Sequence, residues 1–403
     1  MGNSVKSLDI AIAGCGVAGL AAALALSRIG HSVTLFDQFD QPKPLGSGLM
    51  MQPAGLDALD WLGLGDRLRA LGAPIDRLYG REIHSDRIVL DVRYEALGTG
   101  RRGLAVHRAA LFNVLFDAVK AAGIAIETGV RIMGLERAAD RRPLLVCDKA
   151  RRFGAFDLVI DALGSRSPLM SAASAPVERK RLAYGALWTT LPWQTGALDP
   201  HALEQRYEKA SVMIGVLPVG RRLEGDAAQA TFFWSLKTAE HQAWKAQGLG
   251  PWRERVARLW PATEPLLEHI TTPDQMIFAG YGHHTLPLPF GERLVFVGDS
   301  AHSTSPQLGQ GANMALLDVR ALAEALTQRS ELDEVLALYA RKRRRHVRLY
   351  QLMSAVFTPF YQSDSLILPT LRDWLVAPLS RVPLAARQLA RIVAGDFGRC
   401  PDS

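Results

Sequence analysis

The chain has 403 residues, 48% hydrophobic and 22% charged, enough to bury a sizeable core in two or more structural units. Its three cysteines, Cys15, Cys147 and Cys400, are widely spaced and form no CxxC pair, which argues against a disulfide framework and fits a reducing, cytoplasmic setting. The formal charge of +7 comes mainly from arginine, but no aromatic-interleaved basic motif accompanies it, so no nucleic-acid partner is expected.

Lys6 precedes only a short apolar stretch, so neither a signal peptide nor a bilayer-spanning run is expected there. Residues 8–13 are apolar and enter Gly14-Cys-Gly16-Val17-Ala18-Gly19. The Ala/Leu-rich stretch Ala18 to Ile29 predicts a helix closed by Gly30, and Ser32 to Phe36 predicts a second strand ending at Asp37. Such a βαβ unit, with an acidic residue about 20 positions past the glycines, is a dinucleotide-binding context. Gly14 permits a tight turn, Gly16 lets a pyrophosphate approach the backbone, and Gly19 allows close helix–strand packing. The helix N-terminus at Val17 and Ala18 adds N–H donors. Asp37 can accept from both ribose hydroxyls and would repel a 2′-phosphate, which selects FAD or NAD over NADP at this site.

Gly46-Ser-Gly48 then leads into a predicted helix from about Gly55 to Leu71. Residues 74–97 read as strands, and residues 105–122 as a helix suited to packing on a sheet. Phe156 to Gly164 reads as another strand and turn. Between about 171 and 278, strand-like segments such as Ala183–Thr190 and Ala230–Leu236 alternate with polar stretches and a helix near 250–269. That pattern predicts an α+β insertion on an antiparallel sheet. A second strand-to-helix element follows, Leu294-Val-Phe-Val-Gly298-Asp299-Ser-Ala-His302, running into Pro306-Gln-Leu-Gly309-Gln310-Gly311-Ala312-Asn313. From about Ala315 the chain reads as mostly helical. It includes the basic run Arg341–His346, expected to be a solvated face, and an Arg- and Leu-rich tail from Leu366 to Ala394.

On these motifs the chain resembles the class A flavoprotein monooxygenases, the family typified by p-hydroxybenzoate hydroxylase, over roughly residues 8–350. Its most specific part runs from Gly298 to Asn313 and on through Leu317, Asp318 and Leu322. The resemblance implies a Rossmann-like α/β FAD-binding domain (1–73, 98–170 and 279–335) carrying an α+β substrate domain (74–97 and 171–278). A C-terminal helical segment (336–403) completes the expected chain. It implies that Asp299 binds the ribityl chain of FAD, and that 306–313 pass the pyrimidine side of the isoalloxazine. Arg108, in a helix-start Arg-x-x-Leu pattern, would approach the ribityl and phosphate region. Gly48 and Gly164 complete the implied FAD contacts.

One motif departs from the family's Asp-Gly-x-x-Ser-x-x-Arg, reading Leu163-Gly164-Ser-Arg-Ser167-Pro-Leu-Met170. The missing aspartate is associated with both FAD and the nicotinamide cofactor. Asp161, two positions earlier, would point elsewhere and is a poor substitute. No second dinucleotide fold is evident, and the family likewise binds NADH or NADPH transiently along the surface.

The resemblance implies that NAD(P)H reduces FAD, that O₂ adds at flavin C4a, and that a hydroxyl passes to an electron-rich aromatic ring. Pro306 would then sit at the flavin and shape the oxygen pocket, while His302 is a candidate base with structural hydrogen bonding the preferred role. Tyr184, Trp188 and Trp234 are candidates to sandwich a planar, phenolic or heteroaromatic and possibly anionic substrate, with core packing preferred. His283 and His284 are candidates to meet a phenol. Arg372, Arg381, Arg387 and Arg391 interleave with apolar residues and Trp374, so a membrane-touching helix is one reading; a helix packed on the FAD domain or in a homodimer contact is preferred. A monomer or homodimer fits equally. The competing functions are a flavin-dependent reductase or dehydrogenase without oxygen insertion, which Leu163 keeps open, and a non-catalytic FAD-binding protein.

Overall fold

A computed structural model describes residues 7–42, 46–376, 378 and 382–398, so Lys6, Arg381 and Cys400 lie outside the described residues. The apolar strand Asp9–Ala13 lies centrally in a six-stranded sheet. Its neighbours are Ser32–Phe36 and Leu158–Asp161, both parallel to it, with Ala125–Glu127 beyond the first and Leu294–Phe296 beyond the second. Only the short Phe290–Gly291 strand runs antiparallel at the edge. The central parallel strands Asp9–Ala13, Leu158–Asp161 and Leu294–Phe296 are buried on both faces, which is why they read as largely apolar runs. The helices Val17–Arg28, Arg108–Ala121 and Gly311–Gln328 pack in one core with this sheet.

The second large sheet has eight strands, in the order His302–Ser303, Ile277–Thr285, Lys180–Pro192, Gln229–Lys237, Val212–Gly220, Ala202–Glu208, Arg77–Glu82 and Ile88–Arg93. It is antiparallel except where Ala202–Glu208 runs parallel to Arg77–Glu82. On one face Leu187, Phe232 and Trp234 pack with Trp244, Trp252 and Trp260 from the overlying helical layer. The other face carries Trp188, Phe233 and Thr231, and Thr231 Oγ1 accepts the N–H of Gly48 at 2.7 Å. The sheet is thus stitched to the small sheet formed by Gly48–Met51, Gly103–His107 and Ala73–Ile75.

Three expected helices are corrected. The helix expected over 55–71 is two, Pro53–Trp61 and Gly65–Arg69, divided where Gly63 adopts φ +67°. Residues 103–107 form a strand, and the helix starts at Arg108, where His107 Nδ1 caps the N–H of Ala109 at 3.0 Å. The helix expected near 250–269 is interrupted at Trp260 and Pro261. In the tail, the long helix Leu332–Tyr361 is followed by Ile367–Leu371, a π-turn at Arg372–Val376 and the C-terminal helix Pro383–Ala394.

Trp234 fills the core between sheet and helices, edge-on to Trp252 at 6.2 Å. Its replacement by alanine is expected to cost about 3–5 kcal/mol of unfolding free energy in urea denaturation, the usual range for an emptied aromatic site. A stable Trp234→Ala protein with weakened ligand binding alone would contradict the packing role.

Candidate functional site

The first glycine turn is fixed by the backbone. Gly14 has φ +102°, and a Cβ there would lie 2.6 Å from the Ala162 carbonyl oxygen. A Cβ on Gly19 would lie 1.8 Å from the Gly14 oxygen, so the helix can start against the strand end only with glycine there. Gly16 faces open space. The helix Val17–Arg28 that follows has no side-chain cap and no acidic residue in its first turn, leaving the positive end of its dipole for an anion. Beside it, Asp37 Oδ2 accepts the Cys15 N–H at 2.7 Å and Oδ1 the Phe39 N–H at 3.2 Å. Each oxygen retains acceptor capacity for a hydroxyl.

The second turn is held by a buried charge network. Gly298, at φ +63°, donates its N–H to Asp318 Oδ2 at 2.8 Å. The same oxygen meets His302 Nε2 at 2.6 Å, while Oδ1 accepts from Arg343 Nε at 2.6 Å. Asp318 has no solvent exposure. Burial raises its pKa, but the fields of His302 and Arg343 and their hydrogen bonds prevail and bring it down to about 2. Ser300 Oγ donates to the Asp161 carbonyl at 2.6 Å, tying this turn to the neighbouring strand. The outcome is an exposed Asp299 carboxylate at the start of the helix Gly311–Gln328; a Cβ on Gly311 would sit 3.8 Å from Asp299 Oδ1. That helix too begins with no capping side chain and no acidic residue.

Asn313 joins the remaining pieces. Its Oδ1 accepts the Gln52 N–H at 2.8 Å, and its Nδ2 donates to the carbonyls of Met50 at 3.0 Å and Gly309 at 2.8 Å. The strand Gly48–Met51 and the 306–313 loop are therefore held side by side. Gly309 takes φ +60°, and Pro306 is exposed at the start of the loop. Ser305 anchors the loop on its other side. Its N–H donates to His283 Nε2 at 3.0 Å, and its hydroxyl lies 2.7 Å from Thr358 Oγ1 and 3.0 Å from Ser354 Oγ. Arg108 starts its helix exposed, with its aliphatic stem over Gly46.

The candidates divide between structural and ligand-facing positions, with His302 and Trp234 in the structural roles preferred for them. His302 is 5% exposed and engaged by Asp318, so it builds the turn and is not presented as a base. His283 serves Ser305, and His284 Nε2 lies 3.1 Å from the Ser300 carbonyl, so neither faces a phenol. The N–H of Gly48 is taken by Thr231, and the Gln310 side chain donates to the Val393 carbonyl of the C-terminal helix at 2.7 Å. Trp234 lies on the sheet face opposite Trp188 and cannot join it around a ligand. Tyr184 and Trp188 share the face toward the 48–51 strand; Tyr184 donates to Asp364 at 2.7 Å and Trp188 Nε1 to the Tyr281 hydroxyl at 3.2 Å. Among half-buried residues of that face, Trp188 and Thr190 lie amid buried strand neighbours.

Leu163 packs against the apolar core behind the sheet, and its N–H donates to Asp161 Oδ1 at 2.9 Å. Asp161 also accepts from Ser167, and burial pushes its pKa up to about 7. Its carboxylate is spent within the turn, so it does not replace the missing aspartate. Gly164 keeps φ +81° with open space around it. Sequence reasoning missed Arg179, whose guanidinium covers Gly282, with Cζ 2.4 Å from where a Cβ would be. Arg179 feels the charges of Arg166, Arg181 and Asp299, and its Nε has no protein partner. Nothing in the local pattern of 166, 179 and 181 foretells their convergence.

This donor set fits FAD. Two uncapped helix N-termini suit a pyrophosphate and an electron-rich ring edge, while Asp37 and Asp299 suit the hydroxyls at the two ends. The model of the FAD binding domain family matches residues 7–352. The chain is 25% identical to the FAD-dependent urate hydroxylase of Klebsiella pneumoniae over 352 residues, covering 84% of this chain and 86% of that protein. It is 25% identical to 6-hydroxynicotinate 3-monooxygenase of Bordetella bronchiseptica over 339 residues, covering 81% and 85%. The crystal structure of Klebsiella pneumoniae HpxO complexed with FAD and uric acid superimposes with a TM-score of 0.80 at 20% identity, over 97% of this chain and 98% of that one.

Replacing Asp318 by asparagine strips Arg343 and His302 of a buried counter-charge. The expected loss is about 3–5 kcal/mol, with weaker FAD retention as the Gly298 turn loosens. Because the carboxyl is depressed in the folded state, its stabilisation is complete above about pH 4 and is lost as pH falls towards 2. Acid unfolding followed by circular dichroism should show that step in the wild type and not in Asp318→Asn.

Proposed function

The chain belongs to the class A FAD-dependent aromatic monooxygenase family, and we propose from this that it hydroxylates an anionic, nitrogen-containing aromatic ring beside the 306–313 loop. Its chemistry is FAD-dependent aromatic hydroxylation, with FAD as cofactor and NAD(P)H as the family's hydride donor. Bound FAD supplies hydride acceptance and oxygen activation, which no side chain of this chain can supply. The observation that carries the reading is the Asn313 clamp, which builds the loop at the reactive end of the cofactor as fully as the adenine end. A protein keeping FAD only for stability would have no need of it.

In this reading Gly14, Gly16, Val17, Ala18 and Gly19 cradle the pyrophosphate, and Asp37 holds the adenosine ribose. Asp299 and Arg108 hold the ribityl and phosphate region, while the backbone of Gly309 to Asn313, ending at the helix N-terminus, stabilises negative charge on the ring. Trp188 and Thr190 wall the substrate side, orienting the ring and excluding water from the reacting edge. The nitrogen heteroaromatic class follows from the relatives' named substrates, urate and 6-hydroxynicotinate, both acidic planar rings. Arg166, Arg179 and Arg181 take over the phosphates of the nicotinamide donor on the exposed side of the Leu163–Gly164 turn, where the family's aspartate is missing.

Anaerobic stopped-flow reduction tests both parts. Among phenols, benzoates and hydroxylated N-heteroaromatic acids, one of the last group is expected to accelerate flavin reduction by at least an order of magnitude. Arg166→Glu should raise the NAD(P)H concentration needed for the half-maximal rate about tenfold or more, while the flavin spectrum and FAD content stay unchanged. Uniformly negligible reduction across the panel would favour the non-catalytic reading. Rapid reduction indifferent to every aromatic ligand would favour the reductase.

A further inference from the structure

The described residues concentrate their exposed apolar surface in one part of the chain. Eight of their thirteen exposed large apolar side chains fall between Leu352 and Leu384. Leu352 is 62% exposed, Leu366 71%, Ile367 76%, Trp374 65% and Leu384 71%. Scattered exposed leucines are ordinary, but so many within one stretch of chain is a concentration of the kind that interaction surfaces carry, and Leu352 among them lines an arginine-rich groove.

The same part of the chain holds the charge excess. Residues 335–403 contain eleven Lys and Arg against four Asp and Glu, a surplus of seven, so the rest of the sequence is balanced and this segment accounts for the whole formal charge of +7. No Asp or Glu occurs in 335–363 or in 374–395. The structure gathers this charge. Arg341, Arg344, Arg345 and Arg348 from the long helix and Arg391 from the C-terminal helix line a groove of about 780 Å³ that Leu352 and Phe397 also line. Helical spacing puts positions 341, 345, 348, 352 and 356 on one face of the long helix. That face changes along its length from arginine to Leu352 and Val356, all exposed. The groove arginines have no described carboxylate partner, whereas Arg343 of the same run is turned inward to Asp318.

We propose that this C-terminal face docks on an anionic lipid bilayer, with the arginine groove at the headgroups and the exposed leucine, isoleucine and tryptophan side chains in the interfacial layer. The charge pattern selects this occupant. A second copy placed face to face would oppose arginine to arginine, because the nearby acids are already engaged: Asp364 by Lys237 and Tyr184, Asp373 by Arg372, and Asp396 by Arg101. A bilayer carrying acidic headgroups supplies both the counter-charge and the apolar layer. The contact is peripheral, since no helix among the described residues is long and apolar enough to cross a membrane.

Co-sedimentation of the FAD-loaded full chain with vesicles provides the test. Phosphatidylglycerol-containing vesicles are expected to retain the protein at low ionic strength, and phosphatidylcholine vesicles to retain at least tenfold less. High salt should release most of it. The exposed double variant Arg341→Glu/Arg345→Glu should weaken binding tenfold or more, and Leu366→Glu/Ile367→Glu should also weaken it. FAD absorbance and the thermal midpoint report whether each variant remains folded. Failure of the wild type to bind acidic vesicles at low salt, equal binding to neutral vesicles, or variants that bind like the wild type would overturn the proposal. So would self-association in solution that Leu366→Glu/Ile367→Glu abolishes without any lipid binding, which would make the face an interface between copies.

Discussion

A carboxylate with no access to water, Asp318, sets the geometry on which the rest of the site depends. It receives the N–H of Gly298, the ring of His302 and the guanidinium of Arg343 from three separate elements. Leaving such a charge in a low-dielectric interior is costly unless each oxygen is matched, and here each is. The consequence reaches the adjacent residue. With Gly298 held in a left-handed turn, Asp299 is presented to solvent beside the amino end of the Gly311–Gln328 helix. The same helix carries Asn313 in its first turn and Asp318 beyond it, so one rigid element orders the turn, the loop and the neighbouring strand.

The parts legible in sequence were those where backbone geometry leaves one choice of residue. Gly14 and Gly19 sit where a Cβ would strike a carbonyl oxygen, so a glycine spacing there carries real information. The strand ending in Asp37 was legible for the same reason, its length and acid being set by the turn it faces. The fold class followed from alternating strand and helix patterns. What remained hidden was the set of contacts made across long sequence distances. Asp318 lies 25 residues from Arg343 and 20 from Gly298, and nothing local announces the pairing. His283 resembled a ligand-facing residue because its partner, the N–H of Ser305, is a backbone group that carries no sequence signal.

That Trp234 could be read as a ligand wall as well as a core residue has a different cause. Strand faces are told apart by alternation, but every residue from Ala230 to Leu236 is buried, because one face meets a helical layer and the other meets the nucleotide-binding body. A strand without polar alternation does not disclose which side looks toward the cofactor. The same ambiguity made 103–107 read as part of a helix, since a short buried strand running into a helix forms a single apolar stretch. Leu163 is the informative departure. Its side chain has joined the apolar core, Asp161 is consumed in bracing the turn, and positive charge from Arg166, Arg179 and Arg181 stands nearby.

Aerobic turnover under ¹⁸O₂ with NAD(P)H, using an acidic N-heteroaromatic compound that accelerates flavin reduction, tests the central claim most directly. Mass spectrometry of the product should show one ¹⁸O atom on the ring, with the other oxygen atom released as water. Consumption of NAD(P)H that yields only H₂O₂ and unlabelled ring compound with every accelerating ligand would contradict hydroxylation as the function of this site.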